Sequence, residues 1–233
     1  MSMTREELRR NVCAANRKLA SSGLVEETWG NASAIDRETD IVAIKPSGVP
    51  YDALTPEKIV LVSLDGSPVE EGASRPSSDT PTHLCLYRAF PQIGGIAHSH
   101  SSYATMFAQA CRPLPCLGTT HADHFYGTVP VTRDMRPEDV EQDYEVNTGK
   151  LIVQTLGGHS ELAVPAILVA RHGPFTWGED ADSAVTNSVV LELVAQMALG
   201  TLQLNPDADA LPDWLLDRHF LRKHGPQAYY GQP

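Results

Sequence analysis

Short apolar runs, each too short to make a helix of ordinary length, alternate along this chain with stretches of helical periodicity. They are bounded by Gly, Pro, Ser and Asp, and this alternation limits the folds open to the chain. "DIVAIKPSGVPYDAL" gives a strand over 41–44 followed by a Lys-Pro-Ser-Gly loop, and "TWGNASAID" (28–36) gives a strand and turn. "KIVLVSLDGSPVEEG" reads as a hairpin turning at Asp65-Gly66, and "GGIAHSH" and "ILVARHG" read as strands. Between them lie helical patterns. Residues 4–21 carry Leu8, Val12, Ala15 and Leu19 on one face, "SYATMFAQA" is short, and 180–204 is long. "SSDTPTHLCLYRAFP" reads as a helix start, with Asp79 or Thr80 at the N-cap and Pro81 in the first turn. A basic, aromatic tail closes the chain. The pattern predicts a layered α/β or α+β domain with a largely antiparallel sheet.

At 233 residues the chain fits one large domain, 1–233, and 42% apolar content is enough for a buried core. No run of eighteen or more apolar residues is present, so no membrane partner is expected. The amphipathic N-terminus lacks the apolar core of a signal peptide, and Glu6 and Glu7 argue against a transit peptide. A net charge of −11, with no basic patch interleaved with aromatics, argues against nucleic acid as a partner. No glycine-rich nucleotide loop follows a strand. Cys13, Cys85, Cys111 and Cys116 form no CxxC pair and read as reduced, mostly buried thiols of a cytoplasmic protein.

Two histidines two apart on a strand point to one face, so His98 and His100 can aim both rings at one point. Imidazole nitrogens arranged this way suit a divalent metal, which needs a third ligand. His172, at the end of its own apolar strand before an expected Gly-Pro turn, is the best candidate, with His121 and His124 in "TTHADHFYG" as competitors. His83, on a predicted helix, is assigned to packing or capping. A second cluster suits an anion. Lys45, Ser47 and Gly48 combine a cation, a hydroxyl and a flexible backbone, Ser77 and Ser78 precede a helix N-terminus, and Asn31 adds an amide donor.

"TWGNASAIDRE", "IKPSGVPYD", "EGASRPSSDTPTHLCLY", "GGIAHSHSSYATMFAQA", "GTTHADHFYGTVPVTR", "HGPFTWG" and "LRKHGPQAYYGQ" together resemble the L-ribulose-5-phosphate 4-epimerases. These belong to the class II aldolase superfamily, which also holds fuculose-phosphate aldolase and the adducin head domain. The resemblance runs over roughly residues 5–232. "SSDTPTH" carries Asp79 where aldolase relatives typically carry glutamate, and "THADHFYGT" and "AYYGQ" are also epimerase-like. The resemblance implies an α/β domain with a central, mainly antiparallel sheet flanked by helices. It implies a homotetramer with active sites between subunits, to which the tail 212–233 contributes. It implies one zinc ion per subunit, or manganese or cobalt, held by His98, His100 and His172 with Asp79 beside it. Asn31, Lys45, Ser47, Gly48, Ser77 and Ser78 match substrate- and phosphate-contacting positions. Asp123 and Tyr230 match an acid/base pair, with His219 near Asp123. Two places depart from the family pattern: a short segment at 157–164 after a strand through Val153, and Ala170-Arg171 beside His172.

The implied substrate is a 2-ketopentose 5-phosphate, whose C4 hydrogen is not acidified by the C2 carbonyl. Inversion at C4 is therefore accessible by breaking and remaking the C3–C4 bond, with a cation as Lewis acid for the enediolate that results. A phosphate tether lets the aldehyde turn without escaping. Two acid/base groups serve the two positions of the C4 oxygen. The alternatives are a class II aldolase that releases an aldehyde such as glycolaldehyde phosphate or lactaldehyde, and a silent, adducin-like assembly domain. The silent domain predicts degraded metal ligands, and here all three histidines are present.

Overall fold

The structure is a computed structural model that describes residues 3–157 and 161–229. Its first helix, α1 (Arg5–Ser21), opens with a capping box. The Thr4 hydroxyl accepts from the Glu7 N–H while the Glu7 carboxylate accepts from the Thr4 N–H. Leu8, Val12, Ala15 and Leu19 are all buried, as their spacing predicts. Six strands then build one sheet in the order β3-β2-β1-β4-β6-β5, every pair antiparallel. They are β1 (Asn31–Asp36), β2 (Ile41–Ile44), β3 (Val60–Ser63), β4 (Gly95–His98), β5 (Ala166–Val169) and β6 (Gly173–Gly178).

The two faces of the sheet differ in side-chain size. Ala32, Ala34, Ala43 and Ala97 face α1 and the start of α7 (Ala181–Leu204), so both helices settle close to the backbone. The opposite face carries Ile35, Val42, Ile96, Phe175 and Trp177, which pack on α2 (Thr80–Ala89) and α6 (Tyr144–Leu156). A third cluster joins β5, the second half of α7 and α3 (Ser102–Gln109). The short α4 (Thr119–Ala122) packs on α8 (Asp213–His224), and α5 (Pro137–Glu141) leads into α6. The glycine pair that opens β4 has a steric cause. A Cβ on Gly95 would lie 2.2 Å from the Asp180 carbonyl, where α7 begins.

Several sequence expectations need correction. "ILVARHG" is not one strand. β5 stops at Val169, and residues 170–172 form the turn into β6, closed by the His172 N–H donating to the Val169 carbonyl at 3.0 Å. "GGIAHSH" ends as a strand at His98, because only residues up to His98 find ladder partners on β1 and β6. Val153 lies in α6, and the tail contains α8. The hairpin at Asp65-Gly66 turns as predicted, but its return arm pairs with β3 only through an isolated bridge between Val62 and Pro68. Cys13 and Cys116 are buried, whereas Cys85 and Cys111 are half-buried. α7 is long and apolar enough to span a membrane by length and composition. In this fold it packs against β4, β6, α1 and α3.

Asn16 of α1 completes the sheet. β2 pairs with β1 only as far as Ser33, and beyond that the Asn16 amide bonds both the N–H and the carbonyl of Ala32, at 2.8 and 2.9 Å. Asn16→Leu leaves both backbone groups buried and unpaired. We expect it to lower the unfolding free energy by about 2–4 kcal/mol in urea melts. Two buried imidazoles make stability pH-dependent. Burial pushes His83 down to about 3, and pushes His121 down to about 4 despite its bond to the Gly127 carbonyl. Below the ordinary value of 6.5 the unfolded chain takes up protons that the folded chain refuses. Stability is therefore intact above 6.5 and falls on acidification, by up to about 1.4 kcal/mol per pH unit for each ring. Denaturant midpoints of metal-stripped protein between pH 7 and 5 test this, and a flat profile contradicts it.

Candidate active site

The site forms at one end of the sheet, where β1 begins and β4 ends. Register places Asn31 opposite His98 on one side and Phe175 opposite His98 on the other. The Phe175 ring stacks on the His98 imidazole at 4.2 Å and 15°. His98 Nδ1 lies 2.9 Å from the Pro174 carbonyl, so it carries the proton and leaves Nε2 as the free lone pair. His100 Nε2 is 3.2 Å from His98 Nε2. A tetrahedral metal bound to imidazole sets its ligand nitrogens about 3.3 Å apart. His172 comes in from the β5–β6 turn, its Nδ1 lying 3.3 Å from the Tyr144 hydroxyl. The three ring centroids are 4.8–5.0 Å apart, and one nitrogen from each ring falls within 4.8 Å of the others.

Two of these rings, His172 and His100, are shifted toward the neutral form. Burial, together with the neighbouring His98 and His100, pushes His172 down to about 3 against the pull of Asp79. Burial and His98 lower His100 in the same way. Three imidazoles with converging nitrogens could hold a metal ion, and the chemistry of this donor set fits a divalent ion. Asp79 stands beside it at the N-cap of α2, where its side chain makes no capping bond. Instead its carboxylate accepts from Asn31 Nδ2 at 2.7 Å. Burial alone would raise this carboxyl, but His98, His83 and the Asn31 hydrogen bond outweigh it and hold it below the ordinary range.

The anion cluster meets the metal cluster in one cavity of about 330 Å³. Lys45, Ser47 and Gly48 follow β2, and Ser77 and Ser78 precede α2. An antiparallel bridge between Pro46 and Pro76 stitches the two loops, with the Ser47 N–H on the Arg75 carbonyl and the Ser77 N–H on the Lys45 carbonyl, both 2.9 Å. Asn31 Nδ2 reaches Ser77 Oγ at 3.0 Å, which links this wall to the metal side. Lys45 is 1% exposed. Its Nζ lies 3.5 Å from the Pro46 carbonyl and 4.7 Å above the Tyr51 ring.

Trp29, Tyr144 and Glu145 also line the cavity. Reading the sequence did not single them out. The last two come from the first turn of α6, whose 3.6-residue pattern of Leu151, Ile152 and Leu156 was the available signal.

Other expected residues lie elsewhere. Asp123 and His219 are outside this cavity, in a cluster between α4 and α8. There His219 Nδ1 is 3.0 Å from Asp123 Oδ1, and Arg222 Nη2 donates to both carboxylate oxygens at 2.9 and 2.8 Å. Burial would raise Asp123, but these donors hold it low. His121 is buried on the Gly127 carbonyl, and His124 lines a different cleft with Lys223 and His224. Neither joins the three histidines. Tyr230 lies outside the described residues, as does part of 157–164. Arg171 sits at φ 60° with its guanidinium turned to Asp134 at 2.7 Å, so it points its charge at that carboxylate. His83 is buried on Ser33, its Nδ1 2.7 Å from Ser33 Oγ, as packing predicts.

Residues 10–199 match the family model for the class II aldolase and adducin N-terminal domain. The chain belongs to this family. It is 52% identical over 227 residues to the L-ribulose-5-phosphate 4-epimerase UlaF of Salmonella paratyphi C (strain RKS4594), covering 97% of this chain and 99% of that one. The Salmonella typhi protein of the same name matches equally well. Among solved structures, an L-fuculose 1-phosphate aldolase superposes with a TM-score of 0.78 at 25% identity, over 94% of this chain and 96% of its own.

Zinc added to stripped protein at neutral pH should raise the thermal midpoint, which goes on climbing with the logarithm of free zinc, while a calorimetric titration should saturate at one equivalent. Alanine at His98, His100 or His172 should abolish that shift while the metal-free midpoint stays close to that of the parent.

Proposed function

We propose that this chain interconverts L-ribulose 5-phosphate and D-xylulose 5-phosphate, inverting C4 by cleaving and remaking the C3–C4 bond. The observation that carries the reading is that the histidine seat and the anion wall open into the same cavity. A ketose phosphate is then held at both ends. A divalent ion on His98, His100 and His172, with Asp79 beside it, supplies Lewis acidity toward the carbonyl and its neighbouring hydroxyl. Zinc is the expected ion, with manganese or cobalt as alternatives, one per subunit.

The chain's own residues do the rest. Lys45, Ser47, Gly48, Ser77, Ser78 and Asn31 hold the phosphate, so the aldehyde half turns about that anchor and presents its other face. Asp123 and Tyr230 exchange the proton at the C4 oxygen, and His219 positions the Asp123 carboxylate. Asp123 does not line the cavity of its own chain. This supports a homotetramer in which Asp123, His219 and the tail 212–233 of one copy complete the cavity of the next. We place the enzyme in the cytoplasm.

The second reading, an aldolase that lets the aldehyde go, uses the same seat and wall. Asp79 and the 52% relative favour the epimerase. Given L-ribulose 5-phosphate, the zinc-loaded protein should produce D-xylulose 5-phosphate with little free glycolaldehyde phosphate. Accumulated fragments with little epimer would give the aldolase instead.

A further inference from the structure

Among the described residues, Lys45 is a buried ammonium without a carboxylate partner. It is 1% exposed, and among the described residues its polar contact is the Pro46 carbonyl at 3.5 Å. Taking a cation out of water without an anion beside it is costly, so something else must hold it there. What faces it is the ring of Tyr51, its centroid 4.7 Å from Nζ. The negative face of an aromatic ring attracts a cation, and more strongly where water is excluded. Tyr51 is itself 9% exposed, and burial keeps its phenol neutral.

The ring cannot drift, because its hydroxyl is tied down. Tyr51 Oη lies 2.7 Å from the Gly30 carbonyl and 3.0 Å from that of Trp29, and its one proton is shared between them. These carbonyls belong to the segment that delivers Asn31 to the cavity. Gly30 is fixed there, at φ 87° with the His98 carbonyl 2.7 Å from where a Cβ would stand. One side chain therefore braces both loops of the anion wall, Lys45 through its face and the Trp29–Asn31 segment through its hydroxyl.

A carboxylate under Lys45 would neutralise the ammonium and compete with an incoming phosphate. A ring quadrupole attracts the ammonium and leaves its full charge for a dianion. We propose that Tyr51 is a positioning residue for phosphate, a neutral aromatic floor that holds the Lys45 ammonium charged and in place in the cavity wall. The inference deepens the function proposed above and rests on it.

The test uses the zinc-loaded full chain and inorganic phosphate in a calorimetric titration. Substituting Tyr51 by phenylalanine and then by mono-, di-, tri- and tetrafluorophenylalanine keeps the shape and drains the ring's negative face in steps. Tyr51→Phe, which loses the bonds to the Gly30 and Trp29 carbonyls, should bind phosphate several-fold more weakly than the parent, and from that baseline affinity should fall stepwise with fluorination, by about a further tenfold at the last step. KM for L-ribulose 5-phosphate should rise in parallel, with kcat and the zinc-induced thermal shift nearly constant. Phosphate affinity flat across the series would overturn the role of Tyr51, provided that Lys45→Met still loses phosphate. If the parent binds no phosphate and Lys45→Met changes nothing, the phosphate reading of the wall fails as well.

Discussion

Three imidazoles pressed to within about 5 Å of one another work against holding three protons at once, and the rest of the site follows from this. The neighbours of His100 and of His172 make protonation of those two rings more costly, on top of burial. Rings that resist protonation keep their lone pairs ready for a cation with empty orbitals. The rings are also fixed from behind. His98 is pinned by the Pro174 carbonyl and the Phe175 ring, and His172 meets the Tyr144 hydroxyl. Such outer contacts set which nitrogen faces inward, so the seat is organised before any ion arrives.

The sheet's asymmetry makes that organisation possible. Alanines on the α1 and α7 side bring those helices close and leave the larger volume to the other side. There Ile96, Phe175 and Trp177 fill the middle of the sheet. The same face, continued to the strand ends, changes from apolar to polar. Ser33 bonds His83, and Asn31 and His98 follow one step further along their strands. The active end is thus the core face extended past the point where apolar side chains stop. Glu192 of α7 steadies what comes next, its carboxylate accepting from the N–H groups of Tyr103 and Ala104 at 2.9 Å at the start of α3.

The long helices and the short apolar strands were legible because their periods are strong. α1 and α7 fall within a residue of where their patterns place them. Strand ends were harder to place. Nothing in "ILVARHG" marks a turn, since its left-handed position is held by Arg171 where glycine would have announced it. The turn forms because the Arg171 N–H is captured by the Ala108 carbonyl of α3 and its side chain by Asp134. Both partners are distant in sequence. The histidine pair was visible in its spacing, but convergence with His172 depends on β4 and β6 being neighbours. The Tyr144 and Glu145 wall depends on α6 crossing the end of α2. The separation of Asp123 from the cavity was equally hidden, because it follows from how α4 and α8 pack.

Several local rules are broken around the cavity. Asp79 occupies an N-cap and leaves α2 without a side-chain cap, because its carboxylate is committed to Asn31. Arg171, next to His172, accepts a left-handed backbone that costs on the order of 1 kcal/mol for a residue with a Cβ. Lys45 is buried over a ring rather than paired with an acid. Asn31 Oδ1 and His83 Nε2 are buried without hydrogen-bond partners among the described residues. Each of these lowers stability, and elsewhere the fold follows ordinary capping and pairing, as the Thr4–Glu7 box and the Asn16–Ala32 clasp illustrate. Similar features occur elsewhere: among the described residues Arg9 Nε and Arg37 Nε are also buried without partners, and Glu27, Asp40 and Cys111 also hold a left-handed backbone. Those at the cavity sit where a ligand would meet polar groups, and there the lost stability has a use: it holds those groups ready.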